Sequence, residues 1–423
     1  MSLKQKLSSA SGFWFTLYGV VAAFGAYSCM IAYRKPYTVG LFEGMKFLGI
    51  DFKIALVICQ VLGYMLAKFY GIKFISEMPK NRRSVTLVFM ILLAEVSLIL
   101  FAYTPSPYNL IFMFINGFPL GMIWGLVFSY LEGRRFTEIL GLGLSAAFIV
   151  TSGFVKTVGK TVKDDWGFNE FTMPFITGVL FFLPYLLFVW MLNQMPDQTV
   201  EEVAFKTKRI QMFRKDRIKF FKTFAGGLIL LTLAYMMITA YRDYRDNFAA
   251  DIWKELGYGN QSGMFTSTEV YVTFAVLGSL SMIMLIKNNL SALMANHISV
   301  LIGILAIGLS TLLFQSGIIS PYLWMLLNGF GAFMAYVPFG AILFDRLIAA
   351  FKYESNSGFL IYFADSFGYV ASIAVMLYKN FGAPKQTTLA YFISSGYILA
   401  VFGSVIVIFS MIYFFKKQKS FQK

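Results

Sequence analysis

Two arginines at repeated positions are the residues of this 423-residue chain whose spacing speaks most directly of chemistry. Ala-Tyr-Arg stands at 32–34 and again at 240–242, and Lys-x-Leu-Gly follows each copy at 46–49 and 254–257. Both pairs share one offset (240 − 32 = 208; 254 − 46 = 208), close to half the chain. Each arginine closes a long apolar run. A guanidinium grips phosphate or carboxylate through two parallel hydrogen bonds. Arg34 and Arg242, one from each half, would therefore clamp a single anionic group. Two bland readings compete: Arg34 snorkelling to headgroups, and Arg242 belonging to a solvated cap of paired charges, Arg242-Asp243-Tyr244-Arg245-Asp246. Which of Arg242 and Arg245 would line a cavity is open.

Other ionisable side chains fall inside apolar runs, where each costs about 3 kcal/mol on insertion scales and usually faces a cavity, a partner or a pathway. Lys68 is a candidate to assist the arginines, with inward snorkelling as the alternative. Asp365, deep in an apolar run, cannot snorkel far. It and Glu95 are read as proton-coupling sites or members of ion pairs, and Lys156 joins this group. Glu269 is expected at the start of a helix, where an acid complements the N-terminus. His297, the only histidine, is expected at a membrane edge and is given no role.

Several classes of function lack their residues. Cys29 and Cys59 have no metal or disulfide spacing and read as small buried hydrophobes. There is no nucleophile elbow, no clustered catalytic set and no phosphate-binding glycine loop. An enzyme is not expected, nor a cofactor, nor a bound metal, nor direct drive by ATP. The net charge of +15 gathers in a few loops, so it reports membrane topology and calls for no nucleic acid.

The elements that position these residues are membrane helices. The chain is 58% hydrophobic and 13% charged, outside the range of soluble domains. Apolar runs of about 20 residues recur, each long enough to cross a bilayer. Twelve spans are expected, beginning near Phe13, Phe52, Ser84, Tyr108, Glu138, Phe171, Phe224, Thr268, His297, Tyr322, Ser357 and Tyr391. Arg34-Lys35, not a cleavage site of small residues, follows the first run, so that run reads as a span rather than a signal peptide. Helix 1 is expected to continue past Pro36 through Phe42 with a kink. With twelve spans the basic loops all fall on one side, which predicts both termini in the cytoplasm and an inner-membrane location. Residues 195–223 form a basic linker between halves at 1–194 and 224–423. A second repeat supports duplication: Ser-Pro-Tyr then Asn-Gly-Phe at 106–108 and 116–118, and again at 320–322 and 328–330. Both Asn-Gly-Phe copies fall in the fourth span of their half. Gly117, Gly121 and Gly125 form a small-residue stripe for close helix packing.

A parallel duplication of six helices is the architecture of the major facilitator superfamily. Within it the chain resembles the organophosphate:phosphate antiporters. Tyr33-Arg34-Lys35 is similar to their helix 1 motif, Tyr64-x-x-x-Lys68-Phe69 to a helix 2 stretch with a phosphate-site lysine, and Arg242 to a second phosphate-binding arginine. The resemblance implies substrate binding by Arg34, Arg242 and Lys68, with Arg245 as a further candidate. Span five lacks the histidine of the glycerol-phosphate group and carries Lys156. The segment Leu131–Glu138 is similar to uncharacterised bacterial membrane proteins of this type. The expectation is a monomeric secondary active transporter of a small phosphorylated or phosphonate-like anion, with phosphate or a proton as coupling ion. A proton-coupled symporter of another organic anion is the alternative, as is a transporter-like sensor signalling through a partner.

Overall fold

The computed structural model describes residues 3–76, 78–131, 137–197, 214–261, 263–353, 357–383 and 385–421. Most of the basic linker, including Lys206, Lys208 and Arg209, lies outside these residues, as do Arg134 and Arg135.

The chain is all-α, with one two-stranded hairpin among the described residues. After a short helix α1 (Leu3–Ser8), the first half continues with α2 (Gly12–Ile31), α3 (Phe52–Ser76), α4 (Arg83–Tyr103), α5 (Leu110–Leu131), α6 (Thr137–Asp164) and α7 (Met173–Asn193). Next come α8 (Arg214–Asn247), short α9 (Ala249–Glu255), α10 (Gly263–Met284), α11 (Asn289–Gln315), α12 (Pro321–Ala341), short α13 (Leu343–Phe351), α14 (Ser357–Phe381), α15 (Thr388–Ile398) and α16 (Ser404–Phe421). A π turn at Leu399–Gly403 joins α15 and α16 into one crossing, Thr388–Ser420. Eleven crossings among the described residues are long and apolar enough to span a membrane. The 28-residue α6, apolar from Ile139 to Val155, makes twelve. In lipid every backbone N–H and C=O must be paired within the protein, and helices meet that demand segment by segment. The result is two pseudo-symmetric bundles of six membrane helices, the expected major facilitator fold.

Two compact units divide the chain. The first comprises Met1–Lys206 with Asn247–Ser267, and the second Thr207–Asp246 with Thr268–Lys423. The boundary thus departs from the simple split at the linker: the connection after α8 groups with the first unit. Part of the expected linker is helical too, since α8 begins at Arg214 and passes a non-helical residue at Phe224.

Side-chain size decides the packing within each unit. In the first, α3 lies against α5 so closely that a Cβ at Gly63 would sit 2.1 Å from the Phe114 carbonyl oxygen. One at Gly117 would sit 2.1 Å from that of Gln60. Such contact brings backbone atoms into dispersion range, which drives helix association where lipid removes the hydrophobic effect. In the second unit α11 packs on α12, and helix starts carry side-chain caps: Ser320 accepts from the Leu323 amide (3.3 Å) and Asn288 from that of Ser291 (3.0 Å).

Helix 1 of the membrane spans, α2, does not continue past Pro36. It ends at Ile31, and Tyr33 and Arg34 donate back to Met30 and Ile31 in a tightening turn. A separate 3₁₀ turn then runs Pro36–Val39. Proline has no N–H for the helical ladder, and the chain breaks instead of kinking. The hairpin Lys46–Phe47/Ile50–Asp51 follows, with Leu48 and Gly49 at φ 50° and 78°. In the second copy of the repeat, Gly257 also has positive φ (88°), directly after the C-cap of α9. The shared glycine thus serves one need, a left-handed residue, in two different turns.

Candidate functional site

In the first unit the broken end of helix 1 is held by amide side chains. Asn116 on α5 donates to the carbonyls of Tyr33 and Ala94, both at 3.2 Å. Gln60 on α3 donates to the Asn116 Oδ1 (2.8 Å) and to the Arg34 carbonyl (3.2 Å). All five residues are buried. A buried carbonyl without a donor costs about 1–3 kcal/mol, so these amides fix the backbone that carries Arg34.

The Arg34 side chain is 7% exposed, and its guanidinium carbon lies 3.9 Å from the centroid of the Tyr64 ring. Lys68, one turn further along α3, is 6% exposed. Its Nζ stands 5.3 Å from the Tyr64 ring centroid and 5.4 Å from that of Trp124. Neither cation snorkels; the two share one aromatic ring. Lys35 instead donates to Asn247 Oδ1 (2.9 Å). Lys156 is buried on α6.

Glu95 on α4 is buried beside Gly178 of α7 and the Tyr33 ring. A Cβ added at Gly178 would meet Glu95 Oε2 at 2.3 Å and Tyr33 at 3.0 Å. Among the described residues neither carboxylate oxygen of Glu95 has a hydrogen-bond partner, nor does the Tyr33 hydroxyl.

In the second unit Arg242 is 3% exposed, so the solvated cap does not form. Its guanidinium carbon lies 3.8 Å from the centroid of Tyr336 on α12, and it pairs with Asp243. Asp243 also accepts from Ser372 on α14 (2.8 Å). Tyr336 stacks on Tyr235 (5.3 Å, 25°), whose hydroxyl donates to Asp365. Arg242, two tyrosines and Asp365 thus form one connected string. Arg245 is committed elsewhere: it donates to Glu269 (2.7 Å) and to the Met325 carbonyl (3.1 Å). Glu269 therefore does not begin its helix, which starts at Gly263, and it serves as the partner of Arg245. His297 does not begin its helix, which starts at Asn289. It is 1% exposed, with Nδ1 against the Leu293 carbonyl (2.8 Å) and Nε2 against Ser410 Oγ (3.1 Å).

The two sequence repeats meet each other in space. Asn116 of one Asn-Gly-Phe holds Tyr33 of its half, and Asn328 of the other accepts from the Tyr241 hydroxyl (2.8 Å). Sequence reasoning did not single out Trp124, Tyr235 or Tyr336. Their signal is the fall of aromatic residues two helical turns, or one neighbouring helix, away from an intramembrane cation.

Solved structures share this architecture. A D-xylose–proton symporter is 16% identical with a TM-score of 0.62, over 92% of this chain and 97% of that one. The nucleoside transporter NupG is 13% identical with a TM-score of 0.62, over 94% and 99%. The peptide transporter POT, solved with sulfate, is 15% identical with a TM-score of 0.61, over 96% and 98%. At these identities the likeness establishes the fold. By sequence the chain belongs to DUF5690, described as a family of unknown function, which matches residues 36–417. No curated protein matches it.

Proposed function

We propose that the protein is a secondary active transporter that moves a small anionic solute, phosphorylated or phosphonate-like, by alternating access. Arg34 and Arg242 bind the anion, and Lys68 assists. The observation that carries this reading is that each unit buries, at the repeated position, an arginine whose guanidinium carbon lies over a tyrosine ring, at 3.9 Å and 3.8 Å from the centroid. A guanidinium over an aromatic ring still directs its N–H donors outward in its own plane, the arrangement that grips an oxyanion. Lys68 on the same Tyr64 ring adds a second cation where a doubly charged group needs one. Arg245 is assigned a structural role, because Glu269 and a backbone carbonyl engage it. The basic loops favour the cytoplasmic side for both termini.

A proton-coupled version is favoured by Glu95. Its carboxyl lies against the residue before Arg34 and lacks a partner among the described residues, whereas Asp365 is engaged by Tyr235. The test is uptake into proteoliposomes of labelled phosphate esters, phosphonates and carboxylates, with and without internal phosphate and an imposed pH gradient. Uptake of a phosphorylated or phosphonate anion is expected, with a loss of at least about 100-fold in Arg34→Gln or Arg242→Gln, the scale of a missing charge-assisted bidentate contact. Normal uptake by both variants would overturn the site. Anion binding without uptake would overturn transport in favour of sensing.

A further inference from the structure

The segment Asn247–Ser267 connects two helices of the second unit, α8 and α10, yet it is built into the first. Its seat there is made of several separate grips. Lys35 Nζ donates to Asn247 Oδ1 (2.9 Å, buried). Lys53, at the start of α3, pairs with Asp251 at 2.5 Å, the two side chains 5% and 20% exposed. The same Nζ lies 5.7 Å from the Phe248 ring centroid. Lys254 pairs with Glu43 on the rim, and the hydroxyls of Thr157 and Thr266 meet at 2.7 Å. Phe248, Ile252 and Trp253 are buried beneath. The receiving surface is itself held in place: Glu170 accepts from the backbone amides of Leu41 (2.7 Å) and Phe42 (2.9 Å), which sets the chain just before Glu43.

The grips have a common character. They are polar, and three of the four use a lysine of the first unit or of the segment. A buried ion pair gives less net stability than packed hydrocarbon but strict dependence on both partners, which suits a contact made and broken repeatedly. With twelve crossings the segment lies on the membrane face opposite the two termini.

We propose that Asn247–Ser267 is a releasable latch. It is seated on the first unit by Lys35, Lys53, Glu43 and Thr157, and it leaves that seat when the transporter opens on the face opposite its termini. The latch rests on alternating access and is independent of which solute is carried.

The test needs no solute. In full-length protein with Cys29 and Cys59 replaced by serine, Ile252→Cys buries a reporter thiol under the latch, and its rate of reaction with a charged maleimide is measured in nanodiscs. Asp251→Asn is expected to raise that rate at least about tenfold, as removal of one charge of a buried pair should. The exchanged pair, Lys53→Asp with Asp251→Lys, should bring it back toward the starting value. Glu43→Gln, an exposed change that cannot unfold the protein, should raise it by a smaller factor. Equal rates in all four proteins would overturn the latch, as would fast labelling of the reporter before any charge is changed.

Discussion

At the scale of single residues, the two arginines at the end of α8 differ in the binding they predict although three positions separate them. Arg245 and Glu269 form a buried pair at 2.7 Å, and removing one partner of such a pair costs about 3–5 kcal/mol. Glu269→Gln should therefore lower the thermal midpoint in detergent, and Glu269→Met with Arg245→Met should recover much of it. Arg242→Gln leaves the buried Asp243 without its partner and should lower the midpoint as well, but it should in addition remove anion binding, measured by calorimetry with phosphate as the probe. Sequence alone could not separate the two arginines. Both stand in one run of charges, and what distinguishes them is which neighbouring helix supplies a carboxylate. That is a long-range fact carried by α10 and α12.

At the scale of elements, the end of helix 1 is only as well defined as its amide supports. Asn116→Ala leaves the Tyr33 and Ala94 carbonyls without this donor and the Gln60 amide with only the Arg34 carbonyl. A loss of about 1–3 kcal/mol per stranded group is expected. Because the released backbone carries Arg34, phosphate affinity should fall together with stability, whereas Asn116→Asp should retain part of the acceptor role toward Gln60. Gly117→Ala tests the helix contact itself: its Cβ would enter the Gln60 backbone, and overpacking of this kind costs about 1–3 kcal/mol. The readout is the monodisperse fraction on gel filtration and the thermal midpoint. The small-residue stripe in the sequence pointed to this contact directly, since spacing by four places glycines on one helix face. The break at Pro36 was half legible. Proline foretold an interruption, but its outcome, a 3₁₀ turn in place of a kink, depends on carbonyl partners supplied by α3 and α5.

At the scale of the whole molecule, duplication was legible and its asymmetry was not. Offsets of 208 (240 − 32) and 212 (328 − 116) mark the halves, and the structure joins the two motifs within each. Yet Arg34 rests on a tyrosine of the second membrane helix of its half, and Arg242 on one from the fourth, so the copies solve the same packing problem with different rings. The rim of the latch adds a pH dependence. The hydrogen bond from Lys254, then the charges of Lys254 and Lys163, hold the Glu43 carboxyl below its usual range. The contribution of this pair is complete above the ordinary glutamate pKa and is lost as pH falls through the lowered value. A fluorine probe on Ile252→Cys, followed by NMR, should show the unseated population growing in acid, and growing less in Glu43→Gln. Asp251, whose carboxyl burial pushes up against the pull of Lys53, titrates in both proteins and drops out of their difference.

The placement of Asn247–Ser267 in the first unit also orders events during synthesis. Six helices can enter the membrane and still leave that unit unfinished, because Phe248, Ile252 and Trp253 have not yet been made. The N-terminal bundle must wait, with an apolar seat open, until the ribosome has passed α9. Nascent chains arrested after residue 206 should consequently be cut by protease near Glu43, and chains arrested well beyond residue 267 should be protected.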